Sequence, residues 1–265
     1  MAVLIGLSLR VAMVPVQQLL PKADPVLGLA ASGVACLIAL GIYTLLVRLG
    51  EDRRPGELAL KPAAGQLAIG IGLGAAMFAA VMAILIGTNL YSFEWHGAAP
   101  AWRGAGLAMQ SAVVEELLVR GVILRLLWRA FGPAVAFAAS AALFGLGHAF
   151  NPGATVMSVV CIALEAGIML GALYALTGRL WMSIGVHGAW NFTQGYVFGA
   201  AVSGGDFGPS LARSVANGDA SLWLSGGEFG PEASLPALLV CGAVGVVTLW
   251  LAVRARRFGK EATAE

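Results

Sequence analysis

The segment Ser111-Ala-Val-Val-Glu115-Glu116-Leu-Leu-Val-Arg120 decides how this chain is interpreted, because it places three charged side chains within an apolar stretch. A charged side chain at the centre of a bilayer costs roughly 2.5–3.5 kcal/mol on insertion scales, so such groups face a protein interior or a water-filled cavity. Glu116 and Arg120 are four residues apart and share a helix face. Glu115 points about 100° away from Glu116. The segment therefore predicts that one carboxylate pairs with the arginine and that the second faces a cavity. The alternative is a buried ion cluster whose only role is to lock helix packing.

The whole chain has the composition of a membrane protein. Of its 265 residues, 59% are hydrophobic and 11% are charged, whereas a soluble domain has about 45–50% apolar and about 25% charged residues. This predicts an all-α, polytopic membrane helix bundle in a lipid bilayer, with no nucleic-acid partner. Since a span needs about 20 apolar residues, about eight transmembrane helices are expected, at 2–20, 26–48, 67–89, 104–128, 134–150, 155–177, 181–203 and 234–253. The first is the weakest, and its alternative is an amphipathic helix in the interface.

Basic residues predict the orientation. They concentrate in the loop 48–66, at the end of the fourth span, between the sixth and seventh spans, and in the tail after residue 253. With eight spans these regions and both termini are cytoplasmic, as the positive-inside rule requires. The excess of arginine over lysine, with abundant alanine and glycine, favours a bacterial cytoplasmic membrane. The outer loop 204–233 is rich in glycine and serine and is predicted to be flexible.

Further polar residues lie in the later apolar segments. His148 ends the fifth span, and His187 and Asn191 share one helical face of the seventh. A helical rise of about 1.5 Å per residue places these three and Glu115 roughly 9 to 21 Å from the cytoplasmic edge, so tilt and side-chain reach permit one common site. Glu165 in the sixth span is expected to line a cavity or to support packing. His96, in an outer loop, is interpreted as interfacial.

These motifs, taken in order, resemble the CPBP family of CAAX proteases and bacteriocin-processing (Abi) proteins, which includes the type II CAAX prenyl endopeptidase. The resemblance rests on Glu-Glu-x-x-x-Arg at 115–120, Phe-x-x-x-His at 144–148 and His-x-x-x-Asn at 187–191. It covers about residues 104–200. We therefore divide the chain into N-terminal membrane helices (1–103), a catalytic core (104–203), and an outer loop, last membrane helix and basic tail (204–265).

The resemblance implies an intramembrane endopeptidase whose cavity opens to the cytoplasmic leaflet. Its substrate would be a membrane-associated peptide or protein, lipidated or bacteriocin-like. Glu115 would be the catalytic base and His148 its partner in activating water, and His187 and Asn191 would stabilise the oxyanion. The adjacent Glu116 is counted with the catalytic residues, and Arg120 supports the site.

The sequence leaves alternatives open. A glutamate-type hydrolase without a cofactor is favoured, because the candidate ligands come from three helices and lack a His-x-x-x-His pair. A zinc site formed by Glu115, His148 and His187 is the competing mechanism. A non-catalytic immunity or scaffold protein is a second function. A proton-coupled transporter is a third, although the polar residues cluster at one depth instead of forming a path across the bilayer.

Overall fold

The computed structural model describes residues 25–258, and these form a mostly helical bundle. The helices are α1 (Pro25–Glu51), α2 (Ala63–Gly87), α3 (Trp102–Glu116), α4 (Arg125–Phe131), α5 (Pro133–Gly147), α6 (Val156–Ile162), α7 (Met169–Thr177), α8 (Trp181–Phe192), α9 (Leu222–Ser225) and α10 (Leu235–Arg254). Short 3-10 turns occur at Gly56–Leu58, Gly227–Phe229 and Pro231–Ala233.

Three π-helical turns extend these helices. Leu117–Leu124 joins α3 to α4, Ala163–Ile168 joins α6 to α7, and Thr193–Val197 follows α8. Such turns are rare and often mark functional sites. The first contains Arg120 and the second contains Glu165, so two of the three fall on polar residues that the sequence had singled out.

Within residues 25–258, four helical segments are long and apolar enough to cross a membrane: Val26–Glu51, Ala63–Gly87, Val156–Thr177 and Leu235–Arg254. They indicate an integral membrane protein, but the predicted number of eight spans is not confirmed. The helix through 104–128 is rich in charge, and α5 and α8 have only 15 and 12 residues. The predicted span 2–20 lies outside the described residues.

Two of the predicted spans are longer than the helices in the structure. The span 134–150 ends at Gly147, where a turn begins. The span 181–203 loses its helix after Val197. Gly199 has a positive φ of 58°, and a Cβ there would lie 1.8 Å from the carbonyl oxygen of Ala212. The chain therefore leaves the helix at a position that only glycine can occupy without displacing the neighbouring loop.

The loops gather at two ends of the bundle. At one end, the Leu180 amide donates to the Glu57 carbonyl at 3.0 Å, and the Trp181 indole donates to the Ala59 carbonyl at 2.8 Å. Arg125 of α4 also reaches Glu51 of α1 there. We call the end formed by residues 51–59, 125–129 and 180–181 the basic end; it is the end that the sequence predicts to be cytoplasmic.

The opposite end, the sheet end, carries a two-stranded antiparallel sheet that the all-α prediction missed. Strand β1 (Tyr91–Trp95) pairs with β2 (Ala212–Ala216). Within the loop predicted to be flexible, the chain thus forms β2, α9 and two 3-10 turns. Gly204 has a positive φ of 77°, and a Cβ there would meet the Pro152 carbonyl oxygen at 1.9 Å. This close contact folds the loop onto the turn that follows α5. His96 is half-exposed at this end, beside Glu94.

Helices α2 and α8 pack at a distance that only glycine permits. A Cβ at Gly70 would lie 2.5 Å from the carbonyl oxygen of Met182, and one at Gly74 would lie 2.3 Å from that of Val186. Small residues four apart allow this kind of backbone approach between membrane helices. Because Val186 directly precedes His187, the contact fixes the part of α8 that carries the predicted site.

Candidate active site

A cavity of about 540 Å³ lies inside the bundle and extends to the loops of the sheet end. This is opposite to the basic end, so the cavity, as the described residues form it, does not have the opening toward the cytoplasmic leaflet that the resemblance implies. Glu115, His148, His187 and Asn191 all line the cavity, so the structure brings these four predicted residues to one cavity. They come from α3, the end of α5, and α8. Their chemical roles remain a prediction. The cavity is also lined by Ser111, Phe144, Glu165, Ser203 and Glu232.

Glu116 and Arg120 lie behind the cavity wall, with both side chains fully buried. Arg120 Nη1 donates to Glu116 Oε1 at 2.6 Å, which confirms the predicted pair. Its Nη2 donates to the carbonyls of Ala166 at 2.5 Å and Gly167 at 3.3 Å. The guanidinium also lies 4.8 Å from the centre of the Phe144 ring, a cation–π distance. These contacts tie the first π-helical turn to the second.

His187 connects the two glutamates. Its Nδ1 lies 3.0 Å from Glu116 Oε1, and its Nε2 lies 3.8 Å from Glu115 Oε2. The same Glu116 oxygen accepts from Arg120, and a carboxylate can only accept hydrogen bonds. Nδ1 therefore carries a hydrogen, and Nε2 is the nitrogen on the side of Glu115.

His148 is held by its own helix. Its Nδ1 lies 2.8 Å from the carbonyl oxygen of Phe144. A carbonyl only accepts, so Nδ1 is the donor and a neutral His148 keeps Nε2 as a proton acceptor. The Phe144 ring centre lies 4.9 Å from that of His148 and 6.3 Å from that of His187. Phe144 thus packs against both histidines and helps to set their positions.

Asn191 is positioned by a residue that the sequence analysis did not select. Its Nδ2 donates to Ser111 Oγ at 3.0 Å. Ser111 is one helical turn before Glu115, so the same helix face of α3 presents both side chains to the cavity. That spacing was visible in the sequence, but a single serine in an apolar helix is too common to indicate a site.

Two further carboxylates line the cavity, and we call this pair, Glu165 and Glu232, the acidic wall. Each is only 3% exposed. Ser203 Oγ donates to Glu232 Oε1 at 2.5 Å. Burial raises the pKa of the Glu232 carboxyl, against the opposing effects of the Ser203 hydrogen bond and the nearby His148. Sequence reasoning missed Glu232, because it lies in the loop predicted to be flexible.

The residues of the alternative zinc site, Glu115, His148 and His187, are not arranged as a metal site in the structure. Between residues 25 and 258, no group of three or more His, Cys, Asp or Glu side chains is placed so that it could hold a metal ion. Glu115, His148 and His187 line the same cavity without forming such a group. The donor set therefore does not fit zinc, and we derive no step through a metal.

Comparison with known families agrees with the three motifs. The family model described as "Type II CAAX prenyl endopeptidase Rce1-like" matches residues 97–193. This segment contains all seven motif residues, from Glu115 to Asn191, and the predicted resemblance to the CAAX protease family is confirmed over it. The match shows what this segment, about a third of the chain, is similar to. No curated protein and no solved structure matched the chain.

Proposed function

We propose that this protein is an intramembrane endopeptidase that hydrolyses a peptide bond of a membrane-associated substrate. The observation that carries the proposal is the contrast between two adjacent carboxylates. Glu116 is sealed behind the wall with Arg120, whereas the Glu115 side chain is 34% exposed and lines the cavity beside two histidines and an asparagine. The family match favours proteolysis over the transporter and scaffold interpretations.

In this proposal, Glu115 is the general base. Water becomes a sufficient nucleophile for an amide carbonyl only when a base removes its proton. Glu115 Oε2 has no hydrogen-bond partner within residues 25–258, so the carboxylate retains accepting capacity. His148 lines the same cavity and keeps Nε2 as an acceptor, which suits it to help orient the water. The proton taken by Glu115 then passes to the departing amine.

The tetrahedral intermediate needs hydrogen-bond donors aimed at its oxyanion. Protonated His187 supplies Nε2–H, and Asn191 supplies its amide, one helical turn further along α8. Glu116 does not line the cavity, so we assign it a positioning role. It holds the His187 ring through Nδ1, as a carboxylate holds the histidine of a hydrolase triad. Arg120 keeps Glu116 ionised in its buried position.

The test compares protein termini in membranes from cells that express wild-type protein, Glu115→Gln or Glu228→Gln at equal levels. Glu228 is exposed and lies four residues before Glu232, so its variant is the matched control for loss of one carboxylate. We expect new termini with the wild type and Glu228→Gln but not with Glu115→Gln. Identical termini in all three samples, with all variants folded, would contradict the proposal.

A further inference from the structure

The acidic wall has no role in the hydrolysis described above. Glu165 belongs to the π-helical turn between α6 and α7, and Glu232 belongs to the 3-10 turn before α10. Glu232 also lies outside the segment that matches the family model, which ends at residue 193. A feature of this chain that comes partly from outside the family core therefore faces the proposed reaction site.

Glu165, which lines the cavity, has a buried hydrogen-bonding atom without a partner among the described residues. Its side chain is 97% buried, and Oε1 has no hydrogen-bond partner among the residues that the structure describes. Burying an acceptor without a partner is costly, and a buried carboxylate without a cation is more costly still. A carboxyl group whose only purpose was packing would be replaced by an apolar side chain at little cost or with a gain in stability.

The described part of the chain offers the acidic wall no lysine or arginine side chain in the cavity. Among the residues that line the cavity there is no lysine or arginine, and His148 and His187 are the only basic groups. Arg120 is buried behind the wall and is used by Glu116 and two carbonyls. Glu165 and Glu232 line the same cavity, so a cation bound there can interact with both.

The cavity has room for such a ligand. Its volume of about 540 Å³ falls within the range of about 300–1,000 Å³ that is typical of ligand sites. It holds Glu115 and the acidic wall together, so a peptide whose scissile bond lies at Glu115 can place a neighbouring side chain at Glu165. Ser203 already fixes one oxygen of Glu232, which leaves Glu165 as the more open partner.

We propose that Glu165 and Glu232 form a subsite for a positively charged side chain of the substrate, a lysine or an arginine close to the scissile bond. The inference rests on the proposed function, since it assigns a preference to the same cavity. The occupant is a basic residue because carboxylates recognise a cation with charge-assisted hydrogen bonds, which are stronger than neutral ones. An apolar or acidic side chain would leave Glu165 Oε1 without a partner.

The test uses acyl-anchored peptides that span the cleaved site found by the comparison of termini. Lysine or norleucine is placed at successive positions on either side of the bond. Norleucine keeps most of the aliphatic chain and removes the ammonium group. We expect the wild type to cleave one lysine peptide with a kcat/KM about tenfold or more above that of its norleucine partner, which corresponds to about 1.4 kcal/mol.

The variants Glu165→Gln and Glu232→Gln assign that preference to the acidic wall. Each should lower the lysine-to-norleucine ratio toward one while it still cleaves the norleucine peptide, which also shows that the variant is folded. Glu228→Gln should keep the wild-type ratio. A wild-type ratio near one at every position would overturn the inference, as would a ratio that both wall variants retain.

Failure of the protease proposal is a separate outcome. If wild-type protein cleaves no peptide, binding of fluorescent, acyl-anchored Ala/Leu peptides with one lysine or one norleucine is measured by polarisation. Tighter binding of the lysine peptide that is lost in Glu165→Gln supports the subsite without proteolysis. Equal binding of the two peptides by the wild type overturns the subsite.

Discussion

Two charged clusters in this bundle use their hydrogen-bonding capacity differently. The end cluster consists of Glu51, Arg53, Glu57, Arg125 and Arg129 at the basic end. In it, Glu51 accepts from Arg125 at 2.5 and 2.7 Å, from Arg53 at 2.9 Å and from Arg129 at 3.0 Å. Glu57 accepts two hydrogen bonds of 2.8 Å from Arg53. All four oxygens of these two carboxylates therefore have partners.

The cavity cluster consists of Glu115, Glu116, Arg120 and His187. Here Oε2 of each glutamate is buried and has no hydrogen-bond partner within the described residues. Two carboxylates face three guanidiniums in the end cluster, but only one guanidinium in the cavity cluster. The end cluster is a closed network that ties α1, the following loop and α4 together. The cavity cluster retains accepting atoms, which suits proton transfer.

The largest effect on stability is expected for Arg120→Met. It leaves Glu116 fully buried without its cation, and breaking a buried pair in this way costs roughly 3–5 kcal/mol. We expect a large fall in the thermal unfolding temperature in detergent, together with loss of cleavage. The double variant Glu116→Gln/Arg120→Met removes both charges and should recover most of the stability but none of the activity. A single variant as stable as the wild type would contradict this account of the pair.

In the end cluster, Arg125→Met should lower the stability of the protein without changing its cleavage rate. Arg125 is 2% exposed and bridges Glu51 to the Gly121 carbonyl, which its Nε contacts at 2.7 Å. Its loss should cost about 3 kcal/mol, at the lower end for a buried pair, because Arg53 and Arg129 still contact Glu51. The cleavage rate per folded molecule should stay within about twofold of the wild type. A much lower rate at full folding would show that the end cluster takes part in the reaction.

A displacement of α8 should lower the cleavage rate by moving site residues, without changing any charged side chain. Gly74→Val forces a side chain against the Val186 carbonyl, and overpacking of this kind costs roughly 1–3 kcal/mol. Because His187 follows directly, we expect the cleavage rate to fall by more than the folded fraction does. Gly72→Val is the matched control on the same helix, since a Cβ at Gly72 meets nothing within 4 Å. Equal rates for the two variants would contradict the role assigned to this contact.

The smallest effect concerns acid stability. Burial opposes ionisation of Glu57, but hydrogen bonds from Arg53 and Tyr43 hold the pKa of this carboxyl below its usual range. A lowered pKa in the folded state stabilises the protein above the unfolded value of about 4.3, and this contribution is lost as the pH falls further. Unfolding temperatures measured from pH 6 down to pH 3 should therefore fall more steeply for the wild type than for Glu57→Gln. Parallel curves would contradict this assignment.

The main features of the bundle were predictable because they depend on local sequence. Runs of apolar residues gave the long helices, and Asn151-Pro152-Gly153 marked the turn before α6. The i, i+4 spacing gave the Glu116–Arg120 pair, and the same spacing placed His187 and Asn191 on one face. In each of these cases the residues that determine the feature lie within one or two helical turns of each other.

The features that were missed depend on contacts between distant parts of the chain. The end of the helix after Val197 is set by the approach of Gly199 to Ala212. Glu232 reaches the cavity only because the loop folds back over the turn after α5, and its partner Ser203 lies 29 residues away. Local composition marks that loop as flexible and contains no signal for such a contact.

The most direct test of the difference between the end cluster and the cavity cluster uses purified protein in proteoliposomes. Its substrate is the one identified by comparing the termini of membrane proteins from cells. Cleavage rate per folded molecule and unfolding temperature are measured for the wild type, Glu115→Gln and Arg125→Met. We predict that Glu115→Gln keeps its unfolding temperature and loses at least about 100-fold in rate, the lower range for a general base. Arg125→Met should show the reverse pattern. A Glu115→Gln protein that cleaves at the wild-type rate would contradict the central claim that this carboxylate activates water.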